Sequence, residues 1–286
     1  MAIKNFINYV VSNDSNKYPS NGLHTDGYWY ELYGKPPLKI VTWADGTDAE
    51  IVAMVNAADN GEINLSDHWH VGDERQVTLS AMEATGVNET HAEQTVTFVL
   101  MNAGGKTLAN ATSSGRSVCS FIVGMKDVLA EDGAMNSANT AVGGWDACSR
   151  RTWCNEVFRN AIPASLREIF KEHFNVTGNS TGSTTVTSTD YFALPAEKEV
   201  FGRNTKAKSA AESSLTQFEY YATVANRLKR IGDSVVAWSL RSPSSSLDTF
   251  YCNANYDYIE SNGTYVPEPG EYYAAFNYSL SPFGVI

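Results

Sequence analysis

Trp238-Ser-Leu-Arg-Ser-Pro243 is a stiff motif near the C-terminal end of the sequence. We interpret it as a structural element rather than a reactive one. Trp238 is a large anchor for a core at the end of a strand, and Arg241 has five donors that can bind several loop carbonyls at once. Pro243 then forces the chain into a turn. The motif is therefore expected to hold the loops that follow it.

The segment from Ser242 to Ile286 has a different character, because it contains seven Tyr and no Lys or Arg. Tyr presents a large amphipathic face with little side-chain entropy to lose, while Ser, Asn and Gly form adaptable hydrogen bonds, a composition typical of binding loops. A recognition surface is therefore predicted in residues 244–282. The residues expected to bind the ligand are Tyr251, Asn253, Asn255, Tyr256, Tyr258, Tyr265, Tyr272 and Tyr273.

The bulk composition is that of a folded globular protein, with 286 residues of which 43% are hydrophobic and 19% charged. The formal net charge of -11 repels phosphate backbones, so nucleic-acid binding is not expected. The apolar runs are too short to span a bilayer, which predicts no membrane insertion. The first residues are too few and too polar for a signal peptide, so we expect synthesis in the cytosol without an export signal.

The chain is predicted to consist of an arm and one domain. Residues 1–35 are rich in Asn, Ser, Tyr and Gly without a clear period, which indicates an arm for attachment or oligomerisation that orders against something else. Pro36-Pro37 closes this arm. Residues 36–286 are then expected to form a single domain that includes the C-terminal binding region.

The order of predicted elements is mixed, which favours an α+β fold over a βαβ repeat. A helix is expected to begin at Thr47 or Asp48 and to end at Gly61. Two long helices are predicted over residues 150–174, with a restart at Pro163, and over residues 210–231. The predicted strands cover residues 38–42, 75–79, 95–101, 120–125 and 235–240.

Two groups of residues could carry chemistry, and for both a structural interpretation is favoured. The run Asp67-His68-Trp69-His70, with Asp73, could hold a metal ion, but metal sites need three or four convergent ligands, so a polar loop anchored by Trp69 is expected. Glu197 and Glu199 could serve as a glycosidase pair. They are more typical of helix-start and ion-pair residues. No metal or other cofactor is expected.

The remaining charged and sulfur-containing motifs are also expected to be structural. Arg150 and Arg151 could bind an anion, but in so acidic a chain we expect them to pair with internal carboxylates. The cysteines are irregularly spaced and lack a C-x-x-C pattern, which predicts buried free thiols. They are Cys119, Cys148, Cys154 and Cys252.

Several motifs in order resemble an uncharacterised domain family found in phages and prophages of gut Firmicutes. These motifs are residues 65–73, 143–145, 150–155, 161–163, 192–202, 217–221 and 238–243. The family is similar to the C-type-lectin-like fold of formylglycine-generating enzymes and phage tropism determinants. The resemblance implies an α+β, C-type-lectin-like (formylglycine-generating-enzyme-like) domain with two long helices and short antiparallel strands, followed by a variable C-terminal region.

The sequence departs from two activities known in such folds. Calcium-dependent lectins carry a Glu-Pro-Asn or Gln-Pro-Asp motif, whereas this chain has Glu268-Pro269-Gly270. Formylglycine-generating enzymes use paired cysteines near the C-terminus, whereas Cys252 is alone there. Neither a calcium-dependent sugar site nor the enzyme activity is therefore carried over to this chain.

These observations lead to a functional hypothesis with two alternatives. We expect a non-enzymatic protein of a phage virion, a tail-tip or fibre component that binds a host surface protein or glycan through its C-terminal region. Residues 1–35 would contact other virion proteins, and a homo-oligomer is expected because multivalent display strengthens weak contacts. One alternative is a structural particle protein, such as a capsid decoration or tail subunit, whose C-terminal region packs on its neighbours. The other is a glycan-degrading enzyme that uses carboxylates.

Overall fold

The computed structural model describes residues 38–180, 184–203, 212–244, 249–254 and 268–286. The chain divides into two compact units, Met1–Ile40 and Val41–Ile286. The predicted arm, residues 1–35, lies outside the described residues. The fold of the second unit is built mostly from short antiparallel strands.

The described strands pair in four sheets, and every pairing between them is antiparallel. They are β1 (Glu74–Leu79), β2 (Gln94–Ala103), β3 (Phe121–Met125), β4 (His173–Gly178), β5 (Thr185–Asp190), β6 (Phe192–Ala193), β7 (Lys229–Ile231), β8 (Ser234–Val236), β9 (Trp238–Pro243), β10 (Thr249–Ala254), β11 (Glu268–Tyr273) and β12 (Phe283–Val285). The largest sheet has the order β1-β2-β3-β12-β6. A second sheet has the order β11-β10-β9, and β4-β5 and β7-β8 form two-stranded pairs.

The last strand of the chain lies inside the largest sheet. β12 pairs with β3 on one side and with β6 on the other. Phe283, Val285 and Ile286 are fully buried, and the backbone of Ile286 exchanges hydrogen bonds with that of Phe121. Residues 279–286 therefore belong to the core, although the sequence assigned residues as far as 282 to a contact surface.

The first helix matches its prediction. α1 (Asp48–Asp59) begins after Thr47, whose hydroxyl accepts a hydrogen bond from the backbone N–H of Glu50 at 3.3 Å. The carboxylate of Glu50 in turn accepts from the N–H of Thr47 at 2.9 Å, which completes a capping box. Ile51, Met54 and Val55 bury the apolar face of this helix.

The two predicted long helices are absent from the described residues, so that part of the predicted fold class is wrong. Residues 150–174 contain only short pieces, and Pro163, which lacks an N–H donor, separates the last two of them. These pieces are α2 (Ser149–Trp153), a π-helical turn (Cys154–Phe158), α3 (Arg159–Ala161) and α4 (Ala164–Arg167). Across the described ranges, no helix is both long enough and apolar enough to cross a bilayer.

Asn155, within the π-helical turn, joins this helix to a distant segment of the chain. Its side-chain amide donates to the carbonyl of Phe192 at 3.1 Å, and its side-chain oxygen accepts from the N–H groups of Tyr191 at 2.6 Å and Phe192 at 3.2 Å. These bonds clamp the segment that enters β6 onto the helix. A widened turn at Asn155 is consistent with such an inserted side-chain contact.

The second predicted helix, residues 210–231, is replaced by short 3-10 turns and β7 where the structure describes it. The turns are Glu212–Ser214, Glu219–Ala222 and Val224–Arg227. Phe218 and Tyr221 are buried, as a long amphipathic helix would also require. Ala222, which such a helix would bury next to Tyr221, is exposed, and so is Val224. A spacing of three between the buried aromatic residues fits a 3-10 turn, in which residues i and i+3 align.

The predicted strands fare better than the helices. Those over residues 75–79, 95–101 and 120–125 are confirmed as β1, β2 and β3. Residues 38–42 do not form a strand, and the strand expected over residues 235–240 is divided between β8 and β9. The domain is thus mainly small antiparallel sheets with a few short helices, and the α+β assignment with two long helices is corrected accordingly.

Gly284 provides a test of how tightly β12 is packed. A Cβ atom at this position would lie 2.8 Å from Phe170, 2.8 Å from Phe192 and 2.9 Å from the carbonyl oxygen of Tyr191. Gly284→Ala is therefore expected to lower the free energy of unfolding by about 1–3 kcal/mol, measured by urea denaturation. Gly86→Ala is the matched control, because a Cβ there meets nothing within 4 Å. Equal effects of the two substitutions would contradict tight packing around β12.

Candidate functional site

The structure places Trp238 in the core at the start of β9. Its side chain is fully buried, and its Nε1 donates to the carbonyl oxygen of Arg227 at 3.1 Å. Its ring stacks on Tyr221 with the centroids 6.0 Å apart, and the Lys229 ammonium lies 5.0 Å from its centroid. All six residues of β9, including Pro243, are buried. The motif is thus enclosed and does not present a reactive surface.

Arg241 binds a carboxylate as well as a loop carbonyl. Its guanidinium forms a two-pronged ion pair with Glu199, with Nη1 to Oε2 at 2.5 Å and Nη2 to Oε1 at 2.9 Å. Nη1 also donates to the carbonyl of Leu194 at 2.7 Å. The sequence predicted several loop carbonyls as partners, and the main partner is instead a side chain distant in sequence.

Glu199 lies in α5 (Glu197–Phe201) and serves both expected roles, helix start and ion pair. Its Oε2 accepts from the N–H of Ala196 at 2.9 Å, and Lys106 donates to its Oε1. Burial alone would raise the pKa of Glu199, but Arg241 and Lys106 outweigh that effect and hold the pKa at about 2. The carboxylate is therefore ionised and fully engaged.

Lys106 extends the buried network towards a second carboxylate. Burial lowers its pKa, and the attraction of Glu199 opposes that shift. Its Nζ donates to the side-chain oxygen of Asn175 at 2.9 Å, and the Asn175 amide donates to Asp190 at 3.0 Å. The same amide lies 3.1 Å from Nε2 of His173.

Asp190 is the second carboxylate and accepts several hydrogen bonds. Its donors include Ser188 at 2.6 Å, Trp145 at 3.1 Å and the Nε of Arg151 at 2.6 Å. Burial would raise the pKa of Asp190, but these donors lower it below its ordinary value. The expectation that Arg151 pairs with an internal carboxylate is confirmed.

Glu212 ties Ser242, near the end of β9, to the rest of the network. Its Oε1 accepts from the N–H of Gly178 at 3.0 Å, and its Oε2 accepts from the hydroxyl of Ser242 at 2.5 Å. Burial raises the pKa of this carboxyl group. The hydroxyl of Ser242 also accepts from the N–H of Glu197 at 2.9 Å. The start of the Lys/Arg-free segment is therefore fixed in place.

Arg150 departs from its prediction. Its guanidinium donates to the carbonyls of Ala134, at 2.9 Å, and Val87, and it stacks 4.6 Å from the ring centroid of Trp153. Burial lowers its pKa to about 10. The expected carboxylate partner is replaced by two backbone carbonyls, because the helix that carries Arg150 faces the 85–89 and 133–136 segments.

These buried charges join several distant segments of the fold. Lys106 and Glu199 border a cleft of about 170 Å³ that Phe174 and Phe218 also line. A general base works best with a pKa near the working pH. Glu199, held at a pKa of about 2 by two cations, is far from that value.

The candidate metal residues do not converge in the structure. Trp69 is buried, and its Nε1 donates to the carbonyl of Val41 at 2.9 Å, so the polar loop is anchored as expected. His70 is exposed on this loop. Within the described ranges, no three His, Cys, Asp or Glu side chains group together in a way that could hold a metal ion.

The described cysteines are buried free thiols, as predicted. They are Cys119, Cys148 and Cys154. Burial raises the pKa of Cys119 to about 11 and that of Cys148 to about 12, which leaves both as unreactive thiols at neutral pH. The side chain of Cys252 lies outside the described residues.

The predicted ligand-binding residues have different positions. Tyr251 and Asn253 lie on β10, of which the backbone is described. Tyr272 is only 4% exposed and packs against Tyr278 at 4.4 Å, whereas Tyr273 is 46% exposed, as alternation along β11 requires. The remaining predicted residues lie outside the described ranges: Asn255, Tyr256, Tyr258 and Tyr265.

Phe276 joins Tyr273 at the surface and was missed by the sequence analysis. It is 53% exposed, and its ring packs edge-on against that of Tyr273 with the centroids 5.3 Å apart. We call these two residues the aromatic pair. The position of Phe276 in the Lys/Arg-free segment, next to Asn277, is a signal in the sequence that could have indicated it. The predicted contact residues, however, were only Tyr and Asn.

Comparison of the sequence with protein families assigns this chain to one of them. A family model, described as a domain of unknown function (DUF6273), matches residues 122–270, which is more than half of the chain. The chain belongs to the DUF6273 family. No curated protein and no solved structure matches it. The predicted resemblance to an uncharacterised domain family is thus confirmed in this general form, while the C-type-lectin-like assignment is withdrawn with the long helices.

The DUF6273 match covers only part of the structural unit. It begins in β3 and ends in β11, so β1, β2 and β12 lie outside it. It contains Asp190, Glu199 and Arg241, whereas Lys106 precedes it. Because β3 pairs with β2 and β12, the DUF6273 segment depends on strands from both sides of the match.

Proposed function

We propose that this chain is a non-enzymatic protein of a phage virion that attaches the particle to a host cell, as a component of the tail tip or a fibre. The aromatic pair, Tyr273 and Phe276, is the observation that carries the proposal. It lies at the turn that follows β11, in the segment that contains no Lys or Arg. We propose a phage of a gut Firmicutes bacterium as the source, because the sequence motifs resemble a family found in such phages.

The aromatic pair has the properties of a contact site. Aromatic side chains bury a large area on contact and lose little side-chain entropy, and they are enriched among the residues that dominate binding. The turn that carries the pair is fixed, since Ala274 accepts backbone hydrogen bonds from Met135 at 2.9 Å and Asn136 at 3.0 Å. A preformed turn reduces the entropy lost on binding.

The charged residues of the domain support a binding role over an enzymatic one. Glu199 and Asp190 are enclosed and accept hydrogen bonds from several donors, so neither is poised to transfer a proton. Glu212, the carboxyl group whose pKa is raised, is bonded within the fold to Gly178 and Ser242. The glycan-degrading alternative therefore has the least support.

The double substitution Tyr273→Ala/Phe276→Ala is expected to reduce adsorption of the purified protein to a panel of gut Firmicutes cells at least about tenfold. Loss of a binding hot spot costs about 2 kcal/mol or more, which corresponds to more than a tenfold change in affinity. Adsorption is measured by flow cytometry with fluorescently labelled protein. Both side chains are exposed, so the unfolding temperature is expected to change little.

Phe174→Ala is the matched control, because it removes an aromatic ring that is 38% exposed on β4, outside the proposed surface. It should leave adsorption unchanged. Equal loss in both variants, or adsorption by neither the wild type nor the variants, would contradict the proposal. A double variant that is missing from assembled particles would instead favour the structural particle protein.

A further inference from the structure

A polar cleft borders the aromatic pair and suggests what class of ligand this surface takes. The cleft has a volume of about 230 Å³ and is lined by three segments of the chain, within residues 85–89, 134–137 and 275–277. Ala275 and Asn277 line it, and Phe276 lies between them in the chain. Neither Phe276 nor Tyr273 is among the lining residues, so the aromatic pair adjoins the cleft through the chain neighbours of Phe276.

The cleft is rigid because hydrogen bonds join its three segments. Ala134 donates to the carbonyl of Val87 at 2.8 Å, and Asn136 donates to that of Ala274 at 3.0 Å. Beneath them, the buried guanidinium of Arg150 donates to the carbonyls of both Val87 and Ala134. Arg150 therefore links two of the segments that line the cleft, through their backbone carbonyls rather than through a carboxylate.

The polar lining is almost uncharged. Asn277 and Ser137 are exposed there and offer amide and hydroxyl groups, and Glu89 supplies the one carboxylate among the described lining residues. The Thr85 hydroxyl already donates to the side-chain oxygen of Asn88 at 2.6 Å. None of the described residues that line the cleft is Lys or Arg. A phosphate or sulfate would meet a carboxylate without a compensating cation, in a chain with a net charge of -11.

We propose that this cleft binds a neutral sugar ring of a cell-surface polysaccharide, with Phe276 as the stacking platform. Amide, hydroxyl and carboxylate groups form hydrogen bonds with sugar hydroxyls, which both donate and accept. The negative face of an aromatic ring attracts the polarised C–H bonds on one face of a sugar. The volume lies below the range of about 300–1,000 Å³ that is typical for drug-sized ligands, so one ring fits.

This inference rests on the proposed attachment function and names its ligand class. A single shallow site of this kind binds weakly, and many copies on one particle would give strong attachment. Asn277 is the residue whose contribution is specific to the sugar, since it lines the polar cleft, while Phe276 also serves any apolar partner. The two residues can therefore be tested separately.

The test uses the purified full-length chain on a glycan array that contains neutral and anionic polysaccharides. We expect binding to neutral hexose-containing glycans, reduced at least tenfold by Phe276→Ala and by Asn277→Ala, and unchanged by Phe174→Ala. Binding confined to anionic glycans, no binding to the array, or retention of binding in Asn277→Ala would overturn the inference. Unfolding temperatures of all variants check that each one is folded.

Adsorption to cells separates failure of this inference from failure of the proposed function. Periodate oxidises vicinal diols of sugars, and protease removes surface proteins. If adsorption requires Phe276 but withstands periodate and is lost after protease treatment, the sugar inference is overturned while the attachment function stands. If the array shows binding to neutral glycans but no cell adsorbs the protein, the sugar site is supported and the attachment function fails.

Discussion

Replacing Arg241 by Met is expected to lower the free energy of unfolding by about 3–5 kcal/mol. The side chain is fully buried and forms a two-pronged ion pair with Glu199. Removing one member of a buried ion pair leaves the other charge without sufficient compensation, which costs far more than the net stabilisation of the intact pair. Lys106 also contacts Glu199 but cannot replace both lost hydrogen bonds.

Urea denaturation of wild type and variant measures this effect as a shift in the midpoint concentration of urea. The comparison holds when the dependence of the free energy of unfolding on urea concentration has the same slope in both proteins. Arg230→Met is the matched control, because Arg230 is exposed on β7 and its Nη1 donates to the nearby carbonyl of Asp233. That change should stay within about 0.5 kcal/mol. Similar losses in the two variants would show that the buried pair does not stabilise the fold.

A second substitution tests whether the loss comes from the pair itself. Glu199→Gln removes the charge that Arg241 would have faced while keeping a side chain of similar size. Combining it with Arg241→Met should cost at least about 1 kcal/mol less than the sum of the two single effects, because the residues are in direct contact. Additive effects would place the stabilisation in packing rather than in the ion pair.

The stability of the domain is expected to fall in mild acid, and two fully buried histidines whose pKa values are lowered by burial, His173 and His91, contribute below pH 6.5. For His173, burial together with the nearby cation Lys106 lowers the pKa to about 3, while Asp190 opposes the shift and Arg241 adds to it. An unfolded histidine binds a proton at about pH 6.5. Below that pH the unfolded state therefore holds a proton that the folded state lacks.

The direction of the effect follows from proton binding. A state that binds more protons gains stability as the pH falls, so the unfolded state gains relative to the folded state by about 1.4 kcal/mol per pH unit in this window. The total effect of His173 is roughly 3–5 kcal/mol at pH 3. Glu199, whose pKa is lowered to about 2, adds to the loss as the pH falls below about 4.5.

His173→Gln should reduce the pH dependence of unfolding between pH 6.5 and 4.5, because one of the groups that takes up a proton on unfolding is gone. The measurement is a series of urea titrations across this range, and the slope against pH decides the question even if the variant is less stable at pH 7. His70→Gln, at an exposed histidine, should leave the slope unchanged. An unaltered slope in His173→Gln would assign the acid sensitivity to other groups.

The elements that could be predicted are those whose causes lie close together in the sequence. The start of α1 depends on Thr47 and Glu50, three residues apart, and β1 to β3 follow from local apolar patterns. The two long helices were predicted from apolar spacing alone and are wrong. Tertiary contacts overrode that pattern, since Asn155 clamps the first segment onto β6 and the second packs Phe218 and Tyr221 into the core.

The candidate surface could be predicted only in outline. Composition indicated that the Lys/Arg-free segment contains contact residues, and Tyr273 is exposed there. Composition could not separate Tyr272 from Tyr273, because the strand alternation that buries one and exposes the other depends on the pairing of β11 with β10. The polar cleft is lined by segments roughly 140 and 190 residues away from Asn277 in the chain, and no local signal joins them.

The sequence by itself determined the acidic, globular character of the chain, its first helix and three strands, the buried thiols and the pairing of Arg151 with a carboxylate. Only the tertiary structure decided that β12 lies between β3 and β6, that Arg241 is paired with Glu199, and that Phe276 is at the surface. The physical reason is the distance along the chain between the residues that interact. Caps and strand patterns are set by neighbours within a few residues, whereas sheet order, buried ion pairs and exposure depend on which distant segments meet.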